Sequence, residues 1–151
     1  MKNLEPKLVD LFQKGFCAPQ IVKIAKETKE PAATIHYNIK RMENEGKIRA
    51  YKAVFDYKKT GRGYCTYMLI RLNQENYGKS AAVSKSIARH PAVESVDIVT
   101  GDYEIIVKLR VKDSDEYYTF VQDAINRYGI GKTMSLTSLK QFKTEYVEVS
   151  G

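Results

Sequence analysis

Along the amino-terminal third of the chain, apolar positions recur at the spacing of a helix face. Leu4, Leu8, Leu11 and Phe12 fall at i, i+4, i+7 and i+8, which predicts an amphipathic first helix stopped at Gly15. Pro19 suits the first turn of a second helix with an apolar stripe of Ile21, Ile24 and Ala25. Lys29-Glu30-Pro31 breaks that helix, and Pro31 opens a third that carries Ile35, Ile39 and Met42 and stops at Gly46. Ile48, Tyr51, Ala53 and Phe55, set among Arg49, Lys52 and Val54, read as a short β-hairpin or wing.

After Gly61 and Gly63 the period changes. Tyr64 to Asn73 alternates, with Thr66, Met68, Ile70 and Leu72 on one face of a strand. Ser80 to His90 carries Val83 and Ile87 at helical spacing and is ended by Pro91. Val93 to Thr100 predicts a second strand, Gly101-Asp102 a turn, and Ile105, Val107, Leu109 and Val111 a third strand. Asp113 or Ser114 caps a helix, with Glu116 three residues after Asp113 and a stripe of Tyr117, Phe120, Val121, Ala124, Ile125 and Tyr128. Gly129 and Gly131 stop that helix, and Thr133 to about Phe142 reads as a fourth strand.

The expected fold class is therefore α+β: an amino-terminal winged helix-turn-helix over residues 1–60, then a ferredoxin-like β-α-β-β-α-β domain over 61–151. Helices on one face of such a sheet leave the other face to be covered. That face holds Cys65, Tyr67, Leu69 and Arg71 on strand one, with Glu104, Ile106, Lys108 and Arg110 on strand three. It is apolar in the middle and charged at the ends, which suits packing against a second copy of the chain.

Charge divides the chain the same way. Of the net +7, residues 1–60 hold thirteen Lys and Arg against seven Asp and Glu, a net +6; the remainder holds twelve against eleven, a net +1. A basic half joined to a neutral half suggests a polyanion partner on the basic side, and nucleic acid is the usual one. No apolar run exceeds four residues, whereas a membrane span needs about 20. With charges at Lys2, Glu5, Lys7 and Asp10, no signal-peptide core is expected either, so a cytoplasmic protein without a membrane partner is expected. Cys17 and Cys65 lie far apart with no CxxC pairing; no disulfide, metal site or cofactor is implied.

The third helix can be tested for a DNA-facing side. Advancing about 100° per residue returns Ile39 and Met42 close to Ile35 and places Ala33, Tyr37, Lys40 and Arg41 opposite them. Thr34 and His36 flank that face. Ala32, Ala33 and Thr34 are small enough to let the helix start approach a major groove. His36, Tyr37 and Asn38 can meet base edges or phosphates, and Lys40 and Arg41 can meet phosphates.

Two strings at the right separation carry a resemblance. Thr34-Ile35-His36 with Ile39-Lys40-Arg41-Met42-Glu43-Asn44-Glu45-Gly46-Lys47-Ile48, and Thr100-Gly101-Asp102-Tyr103-Glu104, resemble the recognition helix and the GDYD turn of the Lrp/AsnC (feast/famine) transcription regulators. The resemblance spans roughly residues 3–145. It implies pseudo-palindromic double-stranded DNA as partner and a carboxy-terminal domain that makes homodimers and often octamers. It also implies an amino acid or similar small metabolite bound near the turn. Carried over, the ligand-binding set is Thr100, Gly101, Asp102, Tyr103 and Glu104, with Thr133, Ser135 and Thr137 from strand four. A zwitterion needs acceptors for its ammonium, here Asp102 and Glu104, and donors for its carboxylate, here N–H groups around Gly101 and the hydroxyls of Thr100, Thr133 and Ser135. The chain departs from the family pattern at Lys29-Glu30-Pro31-Ala32, where Gly-Leu-Ser-Pro is usual, and at Glu104, where Asp is usual.

Rival classes are weaker on the residues. The sequence has His36 and His90 as its histidines and no HExxH, GxSxG or P-loop string, so no catalytic residues are expected. The enzyme alternative is a tetrapyrrole decarboxylase-like activity on the same architecture. An RNA-recognition domain would stack bases on aromatics of its third strand, and Ile105 to Val111 contains none. A DNA-compacting architectural protein would share the basic half and differ in lacking site preference.

Overall fold

The computed structural model describes residues 3–149. Its contacts divide the chain into two units, the break falling between Phe55 and Asp56, a few residues before the change of period in the sequence.

In the amino-terminal unit, α1 is Glu5–Gln13, α2 is Ile21–Thr28 and α3 is Ala32–Asn44. α2 ends where Lys29 turns left-handed at φ 58°, and Pro31, extended at φ −61° and ψ 144°, caps the start of α3. The Pro31 N-cap fits proline chemistry, since Pro cannot donate into the preceding helix. Pro19 does not sit in the first turn of α2: Gln20 lies between them as N-cap. Ile35 is buried, Ile24 and Ile39 are half-buried, and Leu4, Leu8 and Leu11 of α1 stay exposed.

Residues 47–55 do not form the expected hairpin. They run extended, with Tyr51 in an isolated parallel bridge to Phe16 and Ala53 N–H donating to Phe12 O at 3.1 Å. The segment contains no Gly, Asn, Asp or Pro, so nothing in it supplies the positive φ of a tight hairpin turn.

The carboxy-terminal unit is built on an antiparallel sheet ordered β2-β3-β1-β4, with β1 Tyr64–Leu72, β2 Val93–Ile98, β3 Ile105–Val111 and β4 Ile130–Thr137. α4 (Ser80–Ile87) and α5 (Ser114–Tyr128) cover one face. β1 pairs with β3 from Tyr64 opposite Val111 to Ile70 opposite Ile105. Met68, Ile70, Ile105, Val107 and Leu109 are completely buried there, against Ile87 of α4 and Tyr117, Phe120 and Ala124 of α5. α5 starts at a reciprocal cap: Asp113 Oδ1 accepts from Glu116 N–H at 2.9 Å, and Glu116 Oε2 accepts from Lys112 N–H at 2.8 Å. It stops at Gly129, φ 63°, where an added Cβ would lie 1.8 Å from Asn76 Nδ2. Gly131 is not a stop but lies inside β4. α4 ends at Ile87 rather than His90, and β2 ends at Ile98 rather than Thr100.

β4 leaves the sheet at Thr137, five residues earlier than its pattern suggests, and a small hairpin of β5 (Lys143–Thr144) and β6 (Val147–Glu148) follows. This carboxy-terminal stretch covers one end of the second sheet face. Arg110 lies on that face, and its guanidinium sits 4.0 Å from the ring centroid of Tyr57. Arg110 also donates to Glu94 Oε2 at 3.2 Å and to Gln141 Oε1 at 3.0 Å, and Lys108 donates to Thr144 Oγ1 at 3.1 Å. The Cys65–Arg110 end is thus covered by the chain's own residues. Tyr67, Leu69 and Ile106 remain half-buried, and Met134 and Leu136 of β4 exposed.

Candidate functional site

α3 turns Ile35 inward, which leaves Ala32, Ala33, Thr34, His36, Tyr37, Lys40 and Arg41 all exposed. Tyr37, at 66% exposed, projects from the middle of that face. Asn38 is turned onto its own helix: its Nδ2 donates to Thr34 O at 2.8 Å, and its Oδ1 accepts from Arg41 Nη2 at 3.0 Å. Lys40 Nζ lies 3.4 Å from Glu43 Oε2, and Arg41 Nε 4.0 Å from Glu45 Oε1. Exposed pairs of this kind are weak, so a phosphate can replace the carboxylate.

Glu43 has a second partner that the sequence reading missed. Tyr51 OH donates to Glu43 Oε1 at 2.9 Å, which ties the last turns of α3 to the extended 47–55 segment. That hydrogen bond, with Lys40 beside it, holds the Glu43 carboxyl below its ordinary range, and partial burial together with the Glu43 carboxylate raises the Tyr51 phenol. Glu43 three residues after Lys40 signals a helix-surface pair; nothing local points to Tyr51.

In the carboxy-terminal unit, the turn Thr100–Glu104 joins β2 to β3. Gly101 takes φ 109°, a conformation that side chains disfavour. Thr100, Gly101 and Asp102 are exposed, and Tyr103 and Glu104 half-buried. Arg71, at the end of β1, donates from Nε to Asp102 O at 2.7 Å. Its guanidinium carbon lies 5.7 Å from the centroid of the Tyr103 ring, and Lys132 Nζ of β4 lies 5.9 Å from it. Glu104 Oε2 accepts from Leu72 N–H at 3.2 Å, so one oxygen of this longer carboxylate serves the sheet. Arg71 and Lys132 are opposite each other in the β1–β4 register, as are Ile70 and Thr133. The sheet therefore brings Thr133 to the turn's end of β1 and adds two cations that the sequence reading did not include. Ser135 and Thr137 lie further along β4 with hydroxyls already engaged. Ser135 hydrogen-bonds Tyr117 OH, and Thr137 Oγ1 is 3.3 Å from Thr66 Oγ1 and 3.4 Å from Tyr64 OH.

Among the described residues no group of three or more His, Cys, Asp or Glu could hold a metal, and no helix is long and apolar enough to cross a membrane. Burial pushes the Cys65 thiol up, away from the thiolate.

Residues 65–148 match the Lrp/AsnC ligand-binding domain. An uncharacterised HTH-type transcriptional regulator of Pyrococcus horikoshii is 31% identical over 126 residues, covering 83% of this chain and 84% of that protein. The fold is similar to an AsnC family transcriptional regulator from Agrobacterium tumefaciens, with a TM-score of 0.74, 22% identity and coverage of 95% and 94%. It is also similar to a transcriptional regulator from Neisseria meningitidis in complex with L-Met, with a TM-score of 0.69, 19% identity and coverage of 95% and 93%. The chain belongs to the Lrp/AsnC family of transcriptional regulators, and the relatives it matches are named as regulators.

Proposed function

We propose that this chain is a cytoplasmic, homo-oligomeric transcriptional regulator whose amino-terminal unit binds double-stranded DNA sequence-specifically. Its three helices act as a helix-turn-helix with α3 in the major groove, and the extended 47–55 segment stands in place of a hairpin wing. The observation that carries the reading is the exposed face of α3, with small residues at its start, Tyr37 at its centre and Lys40 and Arg41 behind. It belongs to the part of the chain that holds +6 of the net +7 charge.

The carboxy-terminal unit is read as a ferredoxin-like assembly and effector domain. The exposed apolar residues Met134 and Leu136 beside Tyr67, Leu69 and Ile106 favour a two-fold partner on that part of the sheet. A two-fold dimer would present two α3 helices to successive major grooves about 34–36 Å apart; association of four such dimers would give the octamer. An amino acid is the effector class that suits the turn: Asp102 would take its ammonium, and Arg71, Lys132 and the N–H groups near Gly101 its carboxylate.

The test is selection of bound sites from a random DNA pool, with and without an amino-acid mixture, followed by binding at several salt concentrations. Tyr37→Ala should relax base preference by about tenfold at the contacted position. Lys40→Ala should weaken binding to every sequence and lower the salt slope by about one. Unchanged affinity in both variants would remove α3 from the interface, and selection without any enriched site would favour a DNA-compacting role.

A further inference from the structure

His90 is absorbed by neither site, yet it stands at a groove of about 590 Å³ between the end of α4 and the middle and end of α5. Arg89, His90 and Pro91 come from the first side, and Phe120, Asp123, Arg127 and Tyr128 from the second. That volume is in the range of small-molecule sites. The His90 ring meets Phe120 edge-on, with centroids 4.9 Å apart and planes at 81°. Its Nδ1 accepts from Ala92 N–H at 3.1 Å. In the neutral ring that leaves the proton on Nε2 as a donor. Arg127 Nε donates to Asp123 Oδ1 at 3.1 Å, which leaves its two terminal nitrogens for another acceptor. Arg89 has no side-chain hydrogen bond or ion pair among the described residues.

The lining thus combines aromatic and small apolar groups with two guanidiniums and one imidazole donor. The carboxylate in the groove, Asp123, pairs with Arg127 through one oxygen. Donors exceed acceptors, so the complementary ligand is rich in acceptors, and the planar guanidinium matches a carboxylate with two parallel hydrogen bonds. An α-ammonium group would enter beside two arginines and find a single carboxylate, already paired with one of them. The groove also differs from the Thr100–Glu104 turn in place. Pro91 precedes β2 and Thr100 follows it, and six strand residues set the two apart by roughly 20 Å.

We propose that this groove is a binding site for a small organic carboxylate with a flat apolar body and no α-ammonium group. The site is independent of both the DNA-facing helix and the turn: Arg89 and Arg127 clamp the carboxylate, and the apolar body lies against Phe120 and Tyr128.

Saturation-transfer NMR on the full-length protein tests this with three probes of one ring skeleton: 3-phenylpropionate, phenylalanine and 3-phenylpropan-1-ol. The propionate should bind saturably, and the neutral alcohol at least about tenfold more weakly, because it lacks the charge-assisted bonds. Phenylalanine should not compete with the propionate. Arg89→Gln with Arg127→Gln should weaken propionate binding by about tenfold or more, while a charge-matched control, Lys59→Gln with Lys140→Gln, should leave it unchanged. The thermal melt of each variant reports folding separately, since both arginines are exposed. The proposal is overturned if the propionate shows no saturable binding, or if the alcohol or phenylalanine binds as well. It is also overturned if the arginine variant binds like the control.

Discussion

The two units share a pattern and differ in what covers it. In the carboxy-terminal unit, β1, β3 and α5 meet over side chains with no solvent exposure, Met68, Ile70, Ile105, Val107 and Leu109. In the amino-terminal unit Ile35 is buried, and Leu4, Leu8, Leu11, Phe16 and Val22 stay exposed although α1 and α2 are as regularly amphipathic as α5. A sheet with helices on one face closes a core within one chain. Three short helices enclose little volume, and units near this size are marginal because so much of their surface stays wet. The comparison teaches that amphipathicity says which face is apolar and does not say how fully it becomes covered.

The sharpest way to break that comparison is a pair of truncations. Leu109→Ala should cost about 2–5 kcal/mol in urea unfolding followed by circular dichroism, the usual range for a filled core position. Leu8→Ala should cost less than about 1 kcal/mol, as an exposed substitution does. Equal costs would mean that α1 packs as tightly as the sheet. The next effect contrasts two left-handed glycines. Gly129→Ala forces a Cβ onto Asn76 and strains the backbone, and about 1–3 kcal/mol is expected from the same measurement. Gly46→Ala, with nothing within 4 Å of its Cβ, should carry only the conformational cost of about 1 kcal/mol.

The smallest effect concerns the bond from Tyr51 to Glu43. The folded-state pKa of Glu43 is lowered from its ordinary 4.5. Its contribution is therefore present above that value and lost as pH falls through the lowered one. Tyr51→Phe should lower the melting temperature slightly at neutral pH and should match the parent in acid below the lowered Glu43 pKa. A difference that persists there would assign the loss to packing of the ring rather than to the hydrogen bond.

Elements with local signals were legible. β3 runs from Ile105 to Val111 as its alternation says, and α5 is capped at Asp113 and at Gly129 because its cap and its left-handed stop are chemical instructions within a few residues. The candidate DNA face was legible for the same reason, since the helix period alone separates Ile35 from Tyr37, Lys40 and Arg41. The end of β4 was not. Leu136 and Leu139 continue an apolar run, but the strand stops where its neighbour β1 reaches Cys65, whose carbonyl accepts from Ser138 N–H at 2.9 Å. Arg71 and Lys132 were missed beside the turn because they are 61 positions apart and meet only through the β1–β4 register.

The sequence by itself determined the order of α1 to α5 and of β1 to β4, which face of each is apolar, and the excess of positive charge near the amino terminus, because each depends on period, cap or composition within a short span. Only the tertiary structure decided that Tyr57, Gln141 and Thr144 cover Arg110, that Tyr51 holds Glu43, and that His90 and Arg127 line one groove. Those contacts join residues distant along the chain, and their distances exist only once the sheet register and helix packing have set which side chains stand side by side.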